Sequence, residues 1–86
     1  MMTEKEIKNQ LLEYIVKETM SESKDISDDT LLFEQGIFDS IGLLLLIEFI
    51  KEKFNVTTND EELLIDNFES IKSIAKFVTN KIQVAI

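Results

Sequence analysis

The stretch Gly36 to Phe54, GIFDSIGLLLLIEFIKEKF, leaves the chain few ways to fold. Gly36 can hold backbone angles that other residues avoid, so it breaks whatever precedes it. Asp39 and Ser40 then offer two good N-cap side chains in succession. Beyond them Leu, Ile, Glu and Lys dominate, with no Pro and a single Gly, which is helix composition. The helix so predicted, Ser40 to Phe54, is crowded. Ile41, Leu43, Leu44, Leu45, Leu46 and Ile47 are apolar, broken only by Gly42. At about 100° of rotation per residue, these side chains point almost all round the helix. A chain of 86 residues has too small a core to cover them all. Leu46, Ile50 and Phe54, spaced by four, best fit the core side, joined by Ile47. Leu43 and Leu45 are then expected to face solvent as an apolar docking surface beside Ser40.

A serine at a helix start has a chemical meaning. The first backbone N–H groups there are unpaired and the helix dipole is positive. An anion esterified to Ser40 would sit where the backbone favours it. Asp39 as the cap leaves Ser40 in the first turn, open to a modifying enzyme. The plain alternative is that Ser40 only caps.

Composition narrows the chemistry. The chain has no Cys and no His, which excludes disulfides, thiolate and His-ligated metal sites, and a Ser-His nucleophile pair. The net charge of −8 argues against nucleic acid as a partner. The N-terminus MMTEKEIKNQ has no apolar signal core, and the run Leu43 to Ile47 is too short to span a bilayer. A soluble, cytoplasmic protein with no membrane insertion is expected. The acids cluster in the two connections on either side of the Ser40 helix. Residues 20–39 carry six acids against one Lys, and residues 55–70 carry five acids and no base. A basic partner could be steered there. An EF-hand loop is rejected: counted from Asp25 the sixth residue is Thr30 and the twelfth Gly36, and counted from Ser23 the sixth is Asp28.

Helices bracket this region. Thr3 and Glu6 form a T-x-x-E capping pattern, and Ile7, Leu11, Leu12 and Ile15 make one apolar stripe of a helix ending near Thr19. In the long connection that follows, Asp29-Thr30 is expected to cap a short turn, with Leu31, Leu32 and Phe33 tucked against the bundle. After Phe54, Asn59 or Asp60 is expected to cap a short helical turn through Glu61, Glu62, Leu63 and Leu64. Leu64 and Ile65 read most simply as core. Phe68 precedes the Ser70 cap of a last helix, Ile71 to about Ile82, with Ile71, Ile74, Phe77 and Val78 on its apolar face, Lys81 at its negative end and QVAI expected to fray. The fold class is all-α: a small four-helix bundle with three main helices and one short one, in a single domain over residues 1–86 with an ordered core of about 4–82.

Gly36-Ile37-Phe38-Asp39-Ser40-Ile41 resembles the attachment motif of acyl and peptidyl carrier proteins. In that family Asp-Ser-Leu follows a glycine and starts the second helix of a small bundle. The likeness takes in the helix order and the acidic connections, from Glu4 to Ile82. It implies that Ser40 bears 4′-phosphopantetheine, transferred from coenzyme A by a magnesium-using phosphopantetheinyl transferase, with Asp39 orienting the serine or that metal. It implies an acyl or aminoacyl cargo held as a thioester, a loading ligase, and a downstream transferase or synthase as partners. The chain would then be a monomeric carrier and not an enzyme. By the same likeness Leu64 and Ile65 would border a pocket for acyl chains.

Fatty-acid-type carriers place acids along the second helix, where this chain has Gly42 and Leu45. That departure favours a specialised carrier of a nonribosomal peptide, polyketide or related pathway, docking through Ile41, Leu43 and Leu45. The run Asp-Ser-Ile-Gly is similar to stand-alone aminoacyl carriers, D-alanyl carriers included. Three rivals stand beside this reading. One is a helical interaction module with no prosthetic group, using Leu43 and Leu45 as anchors. The second is a fatty acid synthase-type carrier. The third is a small carboxylate enzyme, disfavoured because no acid pair lies in an apolar context.

Overall fold

The computed structural model describes residues 3–20 and 26–84. It is all-helical, and no strand occurs among these residues. Helix α1 spans Glu4–Thr19, α2 Ser40–Phe54, α3 Ile65–Phe68 and α4 Ile71–Val84, with a 3-10 turn at Asp60–Glu62. Helix α1 starts as its sequence predicts, with the Thr3 side chain accepting from the Glu6 amide at 3.2 Å. It buries Ile7, Leu11 and Ile15 against α4, which also receives α2 and α3. Helix α4 supplies Ile71, Ile74, Ala75, Phe77 and Val78 to the same core. Its amide at Ser73 donates to Ser70 Oγ, the cap expected there. The helix runs on through Gln83 to Val84, past Ile82. Ala85 and Ile86 lie outside the described residues, as do Ser23 and Asp25 of the rejected calcium loop.

The connections contribute core residues. Ile26, Leu32, Phe38, Val56 and Phe68 are all buried. Leu32 is the peg of the long connection, and its amide donates to the Glu69 carbonyl at 2.8 Å. Phe33 is half-buried as expected, but Leu31 is exposed rather than tucked in. The turn here is a single helical one, closed by the Gln35 amide on the Leu31 carbonyl at 2.9 Å. Thr30 caps in the reverse sense, its hydroxyl accepting from the Ser27 amide at 2.8 Å.

Two further expectations are corrected. The short helix does not run through Glu61 to Leu64. Asn59 caps only the 3-10 turn, and α3 starts afresh at Ile65. Leu63 and Leu64 are left between them, both exposed, so Leu64 is not core. The side chain of Ile65 lies outside the described part of the structure. In α2, Leu46, Ile50 and Phe54 are buried as expected, but Leu43 is half-buried against the core and Leu44 is the exposed neighbour. The helical repeat explains the exchange. Leu43 lies three residues before Leu46 and seven before Ile50, on their side of the helix, while Leu44 is turned about 100° away.

Candidate functional site

The start of α2 is built by backbone hydrogen bonds that converge on Leu32. Its carbonyl accepts from the amides of Ile37 at 2.8 Å and Phe38 at 3.0 Å. Between them and the preceding turn, Gly36 takes φ +75°, a conformation that disfavours any side chain. Phe38 is thereby driven into the core, where its ring lies 6.1 Å from that of Phe33. The next residue, Asp39, is extended and caps α2, its Oδ1 accepting from the Gly42 amide at 2.8 Å. Ser40 is the first residue of the helix and is exposed.

Chain sterics add a constraint at Gly42. A Cβ there would come within 2.9 Å of Phe38 Cδ1. The glycine lets the first turn of α2 sit directly on the buried Phe38 ring.

Two grooves flank Ser40. The one toward α1, of about 290 Å³, is lined by Tyr14, Glu18, Ile37, Ile41 and Leu45. The Tyr14 ring stacks on Phe49 with centroids 4.1 Å apart. Burial, and secondarily the Glu18 carboxylate, push the Tyr14 hydroxyl above its usual pKa. The second groove, of about 370 Å³, is more apolar. Phe33, Phe38, Leu43, Leu63, Leu64 and Phe68 line it, with Asp39 and Ser40 at its mouth. Its volume is near the lower end of the roughly 300–1,000 Å³ of small-molecule sites.

Of the residues singled out from the sequence, Asp39, Ser40, Ile41 and Leu45 meet at the exposed start of α2. Ile41 is 67% exposed and Leu45 50%. Leu43 points instead into the second groove. Leu44, at 62% exposure, joins Ile41 and Leu45 on the surface. Leu63 and Phe33 had no local signal, since nothing in their spacing ties them to Ser40, while Phe38 stood inside the motif with nothing to mark its ring as groove lining. The Glu62–Lys81 pair had a partial one: Glu62 is the N3 residue of the Asn59 cap.

No metal or catalytic dyad is needed to make sense of this arrangement. It offers one accessible hydroxyl at the positive end of a 15-residue helix, with a mixed groove on the α1 side and an apolar one on the other. Comparison with known proteins agrees with that geometry. A family model described as a phosphopantetheine attachment site matches residues 9–78. No curated protein matches the chain significantly.

Proposed function

Because the chain belongs to the phosphopantetheine attachment site family, whose members covalently carry 4′-phosphopantetheine, we propose that it is a carrier whose arm is esterified to Ser40. The observation that carries this reading is the placement of Ser40, exposed at the first position of α2 within the matched residues. The residues there fit the group. The phosphodiester would lie at the positive end of α2, where the first amides lack intrahelical partners. Asp39 ties up the Gly42 amide and holds the turn, so the hydroxyl is presented at a defined height. The arm supplies the thiol of a thioester, a nucleophile that a chain without Cys lacks.

A long arm lets one tethered cargo visit several active sites at high effective concentration. Carrier domains of this kind generally meet a phosphopantetheinyl transferase and partner enzymes and do no catalysis themselves. We assign to this chain an acyl or aminoacyl cargo and a specialised biosynthetic pathway in the cytoplasm. The support is the surface of α2: Gly42 and Leu45 stand where fatty-acid-type carriers place acids, and Ile41, Leu44 and Leu45 are exposed. No helix among the described residues is long and apolar enough to cross a membrane. The same apolar face favours a second reading, an interaction module with Ser40 only as part of the cap.

Intact mass separates the two readings. The protein is incubated with coenzyme A, magnesium and a promiscuous phosphopantetheinyl transferase. A carrier gains one phosphopantetheine, Ser40→Ala gains none, and both unfold at the same temperature. A folded protein that gains nothing sinks the carrier assignment and leaves the interaction module.

A further inference from the structure

The wall that Leu63 and Leu64 give to the apolar groove has no regular element of its own. It bridges the 3-10 turn and α3, and its leucines are exposed. Its fixed point is Glu62. The Glu62 carboxylate accepts from the Asn59 amide at 2.9 Å and from Lys81 Nζ at 2.9 and 3.0 Å. Its carbonyl accepts from Asn67 Nδ2 at 2.9 Å and from the Leu64 amide at 2.8 Å. One residue therefore fastens both ends of the wall and ties it to the last turn of α4. The Asn59 amide first, and Lys81 second, hold the Glu62 carboxyl below its usual range. Lys81 also lies 5.9 Å from the centroid of Phe77, whose ring meets Phe68 at 5.3 Å, and Phe68 lines the groove.

We propose that Glu62 is a positioning residue of the carrier site: gripped by Lys81, it holds Leu63 and Leu64 over the groove beside Ser40, so that an apolar cargo is kept from water while the grip holds. The sheltering rests on Ser40 bearing the arm. The grip itself does not, because it is present in the bare chain. No bond is made or broken in the clasp. It works by setting where two leucines stand. The ion pair is partly exposed, with 28% and 25% of the two side chains accessible, so its hold on the wall is modest.

Two variants test this. Lys81→Met keeps the aliphatic stem and removes the charge, and Glu62→Gln keeps an acceptor for the Asn59 amide. Amide hydrogen exchange is measured first, on the unloaded chain. Exchange at Leu63, Leu64 and Asn67 should rise roughly two- to fivefold, the range open to a partly exposed pair, while α1 and α2 keep their rates. Unchanged exchange at Leu63 and Leu64 overturns the clasp whether or not the arm can be attached. Thioester hydrolysis is measured second, on chains loaded with hexanoyl- or acetyl-phosphopantetheine. The hexanoyl thioester should hydrolyse faster in both variants by a similar factor, and the acetyl thioester should not. Equal acceleration of both cargoes, or of neither, overturns the sheltering. A chain that accepts no arm at Ser40 overturns the carrier reading and the sheltering together.

Discussion

Gly42 shows how a single hydrogen atom in place of a methyl group shapes the start of α2. By helix propensity alone, Gly42→Ala should stabilise the chain by about 1 kcal/mol. The added Cβ, however, would meet the Phe38 ring at 2.9 Å and Asp39 Oδ1 at 3.4 Å. Phe38 is buried and its backbone is held by the Leu32 carbonyl, so the ring can give way only by losing its own packing. Overpacking of this kind costs about 1–3 kcal/mol, which outweighs the propensity gain. Gly42→Ala is therefore expected to lose about 1 kcal/mol net, or roughly 4–8 °C in Tm for a domain of this size. A thermal melt that rises instead would mean that the Phe38 ring gives way freely to the added methyl group.

Helices α1 and α2 meet through aromatic rings. Tyr14 of α1 stacks on Phe49 of α2, and Phe49 meets Phe54 edge-on at 5.9 Å. Because burial and then Glu18 raise the Tyr14 pKa above 10.0, the folded state keeps the phenol proton longer than the unfolded chain does. The contribution of this proton to stability is complete below pH 10 and is lost as pH rises through the folded value. Tyr14→Phe should keep the stack and lose less stability than the wild type in that range. Urea midpoints taken at pH 9 to 11 would check this, and identical slopes would remove Tyr14 from the account. At the same scale, the two connections differ in how they are fastened. The first is tied to the rest of the bundle by the Leu32 amide on the Glu69 carbonyl, while the second is tied to α4 by the Glu62 carboxylate on Lys81.

The whole molecule depends on a thin core. Helix α1 gives it three fully buried side chains, and Leu11 is the middle one, packed toward α4. Leu11→Ala should cost about 2–5 kcal/mol, the lost burial of the side chain plus the cavity it leaves. A domain of this kind has about 5–15 kcal/mol in all. A large drop in the urea midpoint is expected, and a loss below about 1 kcal/mol would show α1 to be loosely docked. Much of this architecture is legible in the sequence. The caps at Thr3, Asp39 and Ser70, the turn at Gly36 and the buried faces of α1 and α4 depend on residues three or four apart, and so does the exposure of Ser40 beside its cap. Backbone chemistry at that range is nearly independent of the rest of the chain, and the sequence by itself determined these features. Tertiary structure decided which leucines of α2 reach water, because several faces of that helix were apolar and only the position of α4 and the connections could choose among them. It also decided that Leu63 and Leu64 stand beside Ser40 as a wall and not as core. That wall depends on Glu62 meeting Lys81, 19 residues away, a contact that exists only once α4 has packed.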